Sequence, residues 1–125
     1  EQEVADYRIE DLFMSRTDDR GVIQSGNQTF QRLSGHDWNT LIGAPHKIIR
    51  HPDMPKCVFR LFWDTLKAGD PVGAYVKNRS KEGRYYWVFA IALPVEDGFV
   101  SVRLKPSSRF FETVKGVYAS LVEDE

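Results

Sequence analysis

Apolar and polar positions along this chain fall into two early strands, a group of short helices, one longer helix, three late strands and a final helix. Leu12-Phe13-Met14-Ser15 and Val22-Ile23-Gln24-Ser25 flank the turn signal Asp18-Asp19-Arg20-Gly21 and predict a hairpin. Asn27 is placed to cap a short helix through Phe30 and Leu33, which Gly35 would end in the left-handed conformation. Trp38, Leu41 and Ile42 follow at helical spacing, and Gly43 closes that turn.

The strongest helical pattern runs from Lys56 to Lys67. At about 100° per residue, Phe59, Phe62, Trp63 and Leu66 share one face, with Arg60, Asp64 and Lys67 opposite. Ala68-Gly69-Asp70-Pro71 ends it. Strands are predicted over Val72–Arg79, Arg84–Pro94 and Phe99–Lys105, joined by turns at Ser80–Gly83 and Glu96–Gly98. Pro106 breaks the sheet, and Phe110, Val114, Val117 and Leu121 form the apolar stripe of a last helix over Arg109–Leu121. This order predicts an α+β domain, one antiparallel sheet with helices over one face. Residues 1–10 read as an N-terminal linker or cap, 11–106 as the domain, and 107–125 as a C-terminal helix or linker.

Size and composition narrow the function classes. At 125 residues and 14.4 kDa there is room for one domain, and 42% apolar with 13% aromatic residues supports a packed core. A net charge of −1 supplies no basic field for nucleic acid. The single Cys57 cannot form an internal disulfide, which fits a reducing compartment, and it reads as a small buried residue. No apolar run approaches the roughly 20 residues that span a bilayer, and the first ten residues have no signal-peptide character. A cytoplasmic piece without direct membrane insertion is expected, including as the soluble domain of a membrane-bound parent. Gly21 and Gly26 match no glycine-rich phosphate signature.

Candidate chemistry concentrates between Pro45 and Pro55, where His46, Arg50, His51 and Asp53 are crowded together. Three roles stay open for the cluster on the residues alone. The His46, His51 and Asp53 spacing fits neither a helical metal pair nor a zinc finger, which argues against a metal. A His beside an Asp could move protons, but no nucleophile is marked out, which argues against catalysis. In the third role Arg50 pairs with Asp53 and His51 hydrogen-bonds backbone to hold the proline turn. The Phe59, Phe62, Trp63 and Leu66 stripe is either core or one wall of a site for a planar ring. Asn78 stands inside a strand pattern, where asparagine is depleted; it either contacts a ligand or starts the turn early. Lys77 and Arg79 are expected to point the other way into solvent. Asn27 is most simply a helix cap.

Several of these motifs occur in an order that resembles a known family. Arg50-His51-Pro52-Asp53-Met54-Pro55, Phe59-x-x-x-Trp63, Leu66-Lys67-x-Gly69 and Val76-Lys77-Asn78-Arg79-x-Lys81-x-Gly83-x-x-Tyr86-Trp87 resemble the PAS domain of Aer-type aerotaxis receptors. So do Asn27-Gln28-Thr29-Phe30, Leu33-Ser34-Gly35, Leu41-Ile42-Gly43-Ala44-Pro45-His46 and Ser101-Val102-Arg103, so that the likeness covers about residues 17 to 106. The resemblance implies a PAS fold, a five-stranded antiparallel sheet with short helices on one face and a C-terminal signalling helix. It implies noncovalent FAD and a regulatory, non-enzymatic module. Such a module reports redox state or oxygen to a downstream chemotaxis-type signalling domain of the same chain, as a homodimer in the full-length protein. The implied flavin contacts are Asn27, Arg50, His51, Asp53, Trp63 and Asn78, with Phe59 and Phe62 as walls. The chain departs from the family at Val72-Gly73-Ala74, where a Trp often follows the Gly-x-Pro, and at His36, which replaces an aromatic after Gly35. Two alternatives stay open: a haem b gas sensor with His36, His46 or His51 as axial ligand, and a ligand-free module for dimerisation and signal relay.

Overall fold

The computed structural model describes residues 11–106 and 111–125. The predicted cap at 1–10 and the residues Arg109 and Phe110 lie outside the described residues. Five strands, β1 (Phe13–Asp18), β2 (Ile23–Gly26), β3 (Val72–Arg79), β4 (Tyr85–Val95) and β5 (Gly98–Leu104), form one antiparallel sheet in the order β2-β1-β5-β4-β3. Between β2 and β3 run α1 (Gln28–Ser34), α2 (Trp38–Leu41), a 3₁₀ turn (His46–Ile49) and α3 (Lys56–Lys67). After β5 comes α4 (Phe111–Asp124).

Strand alternation sets the two faces of the sheet. Phe13, Ser15 and Thr17 of β1, Val76 and Asn78 of β3, Tyr86, Val88, Ala90 and Ala92 of β4, and Arg103 of β5 are buried on the face that the helices cover. One core cluster joins Phe13, Ile23, Phe30, Leu33, Leu41, Ile49, Val76, Tyr86 and Val88. A second joins Leu66, Ala92 and Phe99 with Phe62, Trp63 and Val72. Two backbone bridges, Val22↔Pro45 and Arg50↔Asn78, tie the 3₁₀ segment to both sides of the sheet. Asn27 caps α1, and Gly35 ends it at φ 72° with its N–H bonded to Gln31 and Arg32, as the sequence pattern requires.

On the opposite face α4 lies against β3 and β4. Phe111 stacks on Tyr75 at 5.3 Å and meets Trp87 edge-on at 5.3 Å, and Tyr118 packs on Trp87 at 6.0 Å. This changes the predicted contact stripe: Val117 is 51% exposed, because the two aromatics rotate the helix to place their larger surfaces on the sheet. Cys57, expected to be buried, is exposed at the start of α3.

Candidate functional site

Where the two core clusters meet, the structure encloses a partly open cavity of about 250 Å³. One wall comes from α3, whose spacing brings Phe59, Phe62 and Trp63 to the cavity. Trp63 stands edge-on to Phe62 at 6.2 Å and to Phe99 at 5.5 Å, so its ring is held from two sides. Gly21, at φ 82° in the β1–β2 turn, lies over the same indole: a Cβ there would sit 3.4 Å from it. The turn needs glycine for its left-handed backbone as well as for this approach.

The polar end of the cavity is assembled from β1, the 3₁₀ turn and β5. Arg103 Nη2 donates to Ser15 Oγ at 2.7 Å and to His46 Nε2, and Ser15 Oγ lies 3.1 Å from that nitrogen. Rings of Phe13 and Phe30 flank the Arg103 guanidinium at 5.6 and 5.3 Å. Burial first, and the Arg103 charge second, hold the His46 imidazole well below its usual pKa. His46 is therefore neutral, with Nε2 as an acceptor.

Charge around the cavity is one-sided. Arg20, Lys47, Arg50 and Arg103 line it, and among the described residues no Asp or Glu does. Arg50 rests its guanidinium over Phe59 at 4.9 Å, while Arg20 also reaches Asp18 at 3.5 Å. Two lining groups, Asn78 Nδ2 and Thr17 Oγ1, are buried without a hydrogen-bond partner. A buried donor left unmade costs about 1–3 kcal/mol, and a ligand presenting acceptors would remove that cost. Aromatic walls, unmatched polar atoms and an excess of cations together suit a planar ring with a polar edge and anionic substituents.

The eight sequence-predicted site residues divide. Arg50, Phe59, Phe62, Trp63 and Asn78 line the cavity; Asn27, His51 and Asp53 do not. Asn27 spends its amide on the fold: Oδ1 accepts from the Phe30 and Met14 N–H groups at 3.0 and 3.2 Å, and Nδ2 donates to the Leu12 carbonyl at 3.0 Å. His51 is buried, and its Nδ1 accepts from the Asp53 N–H at 3.0 Å. Asp53 pairs with Lys77 at 3.5 Å, where one of the three open readings of the cluster paired it with Arg50. Lys77 is not solvated as expected, since its side chain, 13% exposed, bridges Asp53 and the Tyr85 ring. These contacts anchor the loop that carries Arg50. Of the three histidines only His46 lines the cavity, and its Nε2 already meets Arg103. Among the described residues no group of three or more His, Cys, Asp or Glu is placed to hold a metal ion.

Sequence reasoning missed Ser15, Thr17, Arg20, Lys47 and Arg103, and weighed His46 in the loop cluster and as a metal or haem ligand, not as a partner of Arg103. Arg103 carried a signal, since it is a charged residue in a mostly apolar strand.

Comparison with known proteins gives concordant matches. A family profile described as PAS fold matches residues 24–102. The aerotaxis receptor of Escherichia coli is 41% identical over 113 residues, which are 86% of this chain and 22% of the receptor. The biofilm dispersion protein BdlA of Pseudomonas aeruginosa is 30% identical over 82 residues, 65% of this chain and 20% of that protein. The chain thus spans about a fifth of the length of these curated relatives. The crystal structure of a PAS domain from Colwellia psychrerythraea superposes with a TM-score of 0.69 at 17% identity, covering 79% of this chain and 89% of that one. No helix among the described residues is long and apolar enough to cross a membrane.

Proposed function

Because the chain belongs to the PAS fold family, we propose that its cavity binds FAD noncovalently and that the domain is a cytoplasmic sensor module. It reports redox state or oxygen to a signalling domain further along the same chain, in a homodimeric parent, and performs no catalytic turnover. The observation that carries this is the buried Asn78 Nδ2, without a hydrogen-bond partner among the described residues, at an aromatic-walled cavity that those residues line with cations and no carboxylate. Sequence identity of 41% to a protein named for aerotaxis supports the same direction.

Each residue has a task under this proposal. Phe59, Phe62 and Trp63 present ring faces and edges to the flavin, and Asn78 hydrogen-bonds its polar edge. Arg50 and Lys47 attract the phosphates. Asn27, His51 and Asp53, offered above as contacts, act by holding α1 and the Arg50 loop in place. When bound, the cofactor supplies a ring whose charge and hydrogen-bonding pattern change on reduction. Arg103 then stabilises added negative charge at the polar end, while neutral His46, its Nε2 accepting from Arg103, holds that guanidinium in place. Exclusion of water by the α3 aromatics strengthens the attraction between Arg103 and that charge.

The absorbance spectrum of freshly purified protein tests the assignment. Flavin gives two bands in the blue and near-ultraviolet, haem an intense Soret band, and an empty domain neither. Arg50→Ala is expected to lose most bound FAD while stability changes by no more than about 0.5 kcal/mol, as for most surface substitutions. Full flavin retention in that variant, or a large drop in melting temperature instead, would return Arg50 to a purely structural role.

A further inference from the structure

Helix α3 starts directly after Pro55, which offers its first amides no side-chain cap. Those amides are satisfied from the far end of the sequence. Glu125 Oε1 accepts from the Lys56 N–H at 2.9 Å and Oε2 from the Cys57 N–H at 3.0 Å. A carboxylate in this place answers two orphan donors and the positive end of the helix dipole. The same two N–H groups, Cys57 first, hold the Glu125 carboxyl below its ordinary pKa. Helix α4 is therefore fixed at two places, from its start to its middle through Phe111 and Tyr118 on β3 and β4 and at its end through Glu125 on α3. Because α3 also carries Phe59, Phe62 and Trp63 to the cavity, one rigid element touches both the cavity and the end of α4.

We infer that Glu125 is a detachable cap on α3 that couples occupancy of the cavity to docking of the end of α4. The inference rests on the cavity being a ligand site. Hydrogen bonds lose strength steeply with misalignment, so a paired carboxylate registers a small displacement of the helix start. A ligand changes the docked population by the difference in its affinity for the docked and undocked forms. Phe111 and Tyr118 also pack on Tyr75 and Trp87 of the sheet, so loss of the Glu125 contact frees the last turn of α4 first.

Hydrogen exchange on the 125-residue chain, with and without FAD, tests the cap and the coupling separately. Wild type is compared with Glu125→Ala, Glu125→Gln and the exposed control Glu123→Ala. Protection of the Lys56 and Cys57 amides is expected to fall about fivefold in Glu125→Ala, the size of a lost helix cap, less in Glu125→Gln, and not at all in the control. Alkylation of Cys57 by iodoacetamide gives a second readout. Its thiol is pushed up by desolvation and then by Glu125, so the reaction should quicken once the carboxylate is gone. Bound FAD should change protection of these two amides and of residues 119–125 in wild type, and leave residues 119–125 unchanged in Glu125→Ala. Equal amide protection in wild type and Glu125→Ala would overturn the cap. Bound flavin without any change at these sites would overturn the coupling. Failure of FAD to bind removes the coupling too, while the first comparison still decides the cap.

Discussion

Gly98→Ala is expected to lower the melting temperature by about 10 °C or more, with unfolding still cooperative. Gly98 opens β5 opposite Asp18 of β1. An added Cβ would press into the Thr17 carbonyl, lying 3.0 Å from its carbon and closer still to its oxygen. Neither strand can step aside, since β1 is held by β2 on its other edge and β5 by β4. Overpacking of this kind costs about 3 kcal/mol, a large share of the roughly 5–15 kcal/mol that holds a domain together. Gly116 supplies the contrast: it lies within α4, and an added Cβ meets nothing within 4 Å. Gly116→Ala should therefore stabilise the helix slightly. Calorimetric melts of the two variants should move in opposite directions. A loss below about 2 °C in Gly98→Ala would show that β1 and β5 can separate locally at little cost, against the close approach described here.

Asn78→Val should stabilise the ligand-free protein and weaken flavin binding together. Asn78 is 3% exposed and pairs with Tyr86 across β3 and β4. Its buried Nδ2 has no partner, at a cost of about 1–3 kcal/mol. Valine has no polar group to leave unpaired and suits a strand better. The melting temperature without added FAD is expected to rise by about 3–6 °C. FAD affinity should fall at least about tenfold, since one lost hydrogen bond to a buried edge is worth about 1.4 kcal/mol or more. Melts with and without FAD separate the two effects, because a ligand stabilises only the form that binds it. A lower melting temperature with unchanged affinity would assign Asn78 to the sheet alone.

Local structure was largely legible in the sequence because it depends on near neighbours. The α3 stripe follows from helical spacing, and the Asn27 and Gly35 caps follow from chemistry within a few residues. Long-range pairing was not legible. Arg103 meets Ser15 only through the β1–β5 register, which places Phe13 opposite Arg103 and Ser15 opposite Ser101, and His46 joins them from a separate turn. No local pattern encodes that meeting. The Lys77–Asp53 pair was missed for a related reason. Strand alternation correctly put Lys77 opposite Asn78, but could not show that Asp53 and the Tyr85 ring would be waiting there. In α4, periodicity predicted an amphipathic helix, but only the positions of Tyr75 and Trp87 decide which face turns inward.

The sheet order also bears on how the protein comes into being. The central strand β5 is the last of the five in sequence, and its partner β1 is the first. Closing that pair fixes a loop of most of the domain's length, an entropic cost met before the contacts it enables. During synthesis the β1–β2 hairpin must therefore wait, with one edge of β1 unpaired, until Arg103 has left the ribosome. Such an open edge is prone to pair with neighbouring chains. Any ligand of the cavity arrives later still, because the polar end does not exist until β5 is in place. Slow folding, a period of aggregation risk and late ligand loading are thus expected to share one cause, the meeting of the two strands most distant in the sheet's order along the chain.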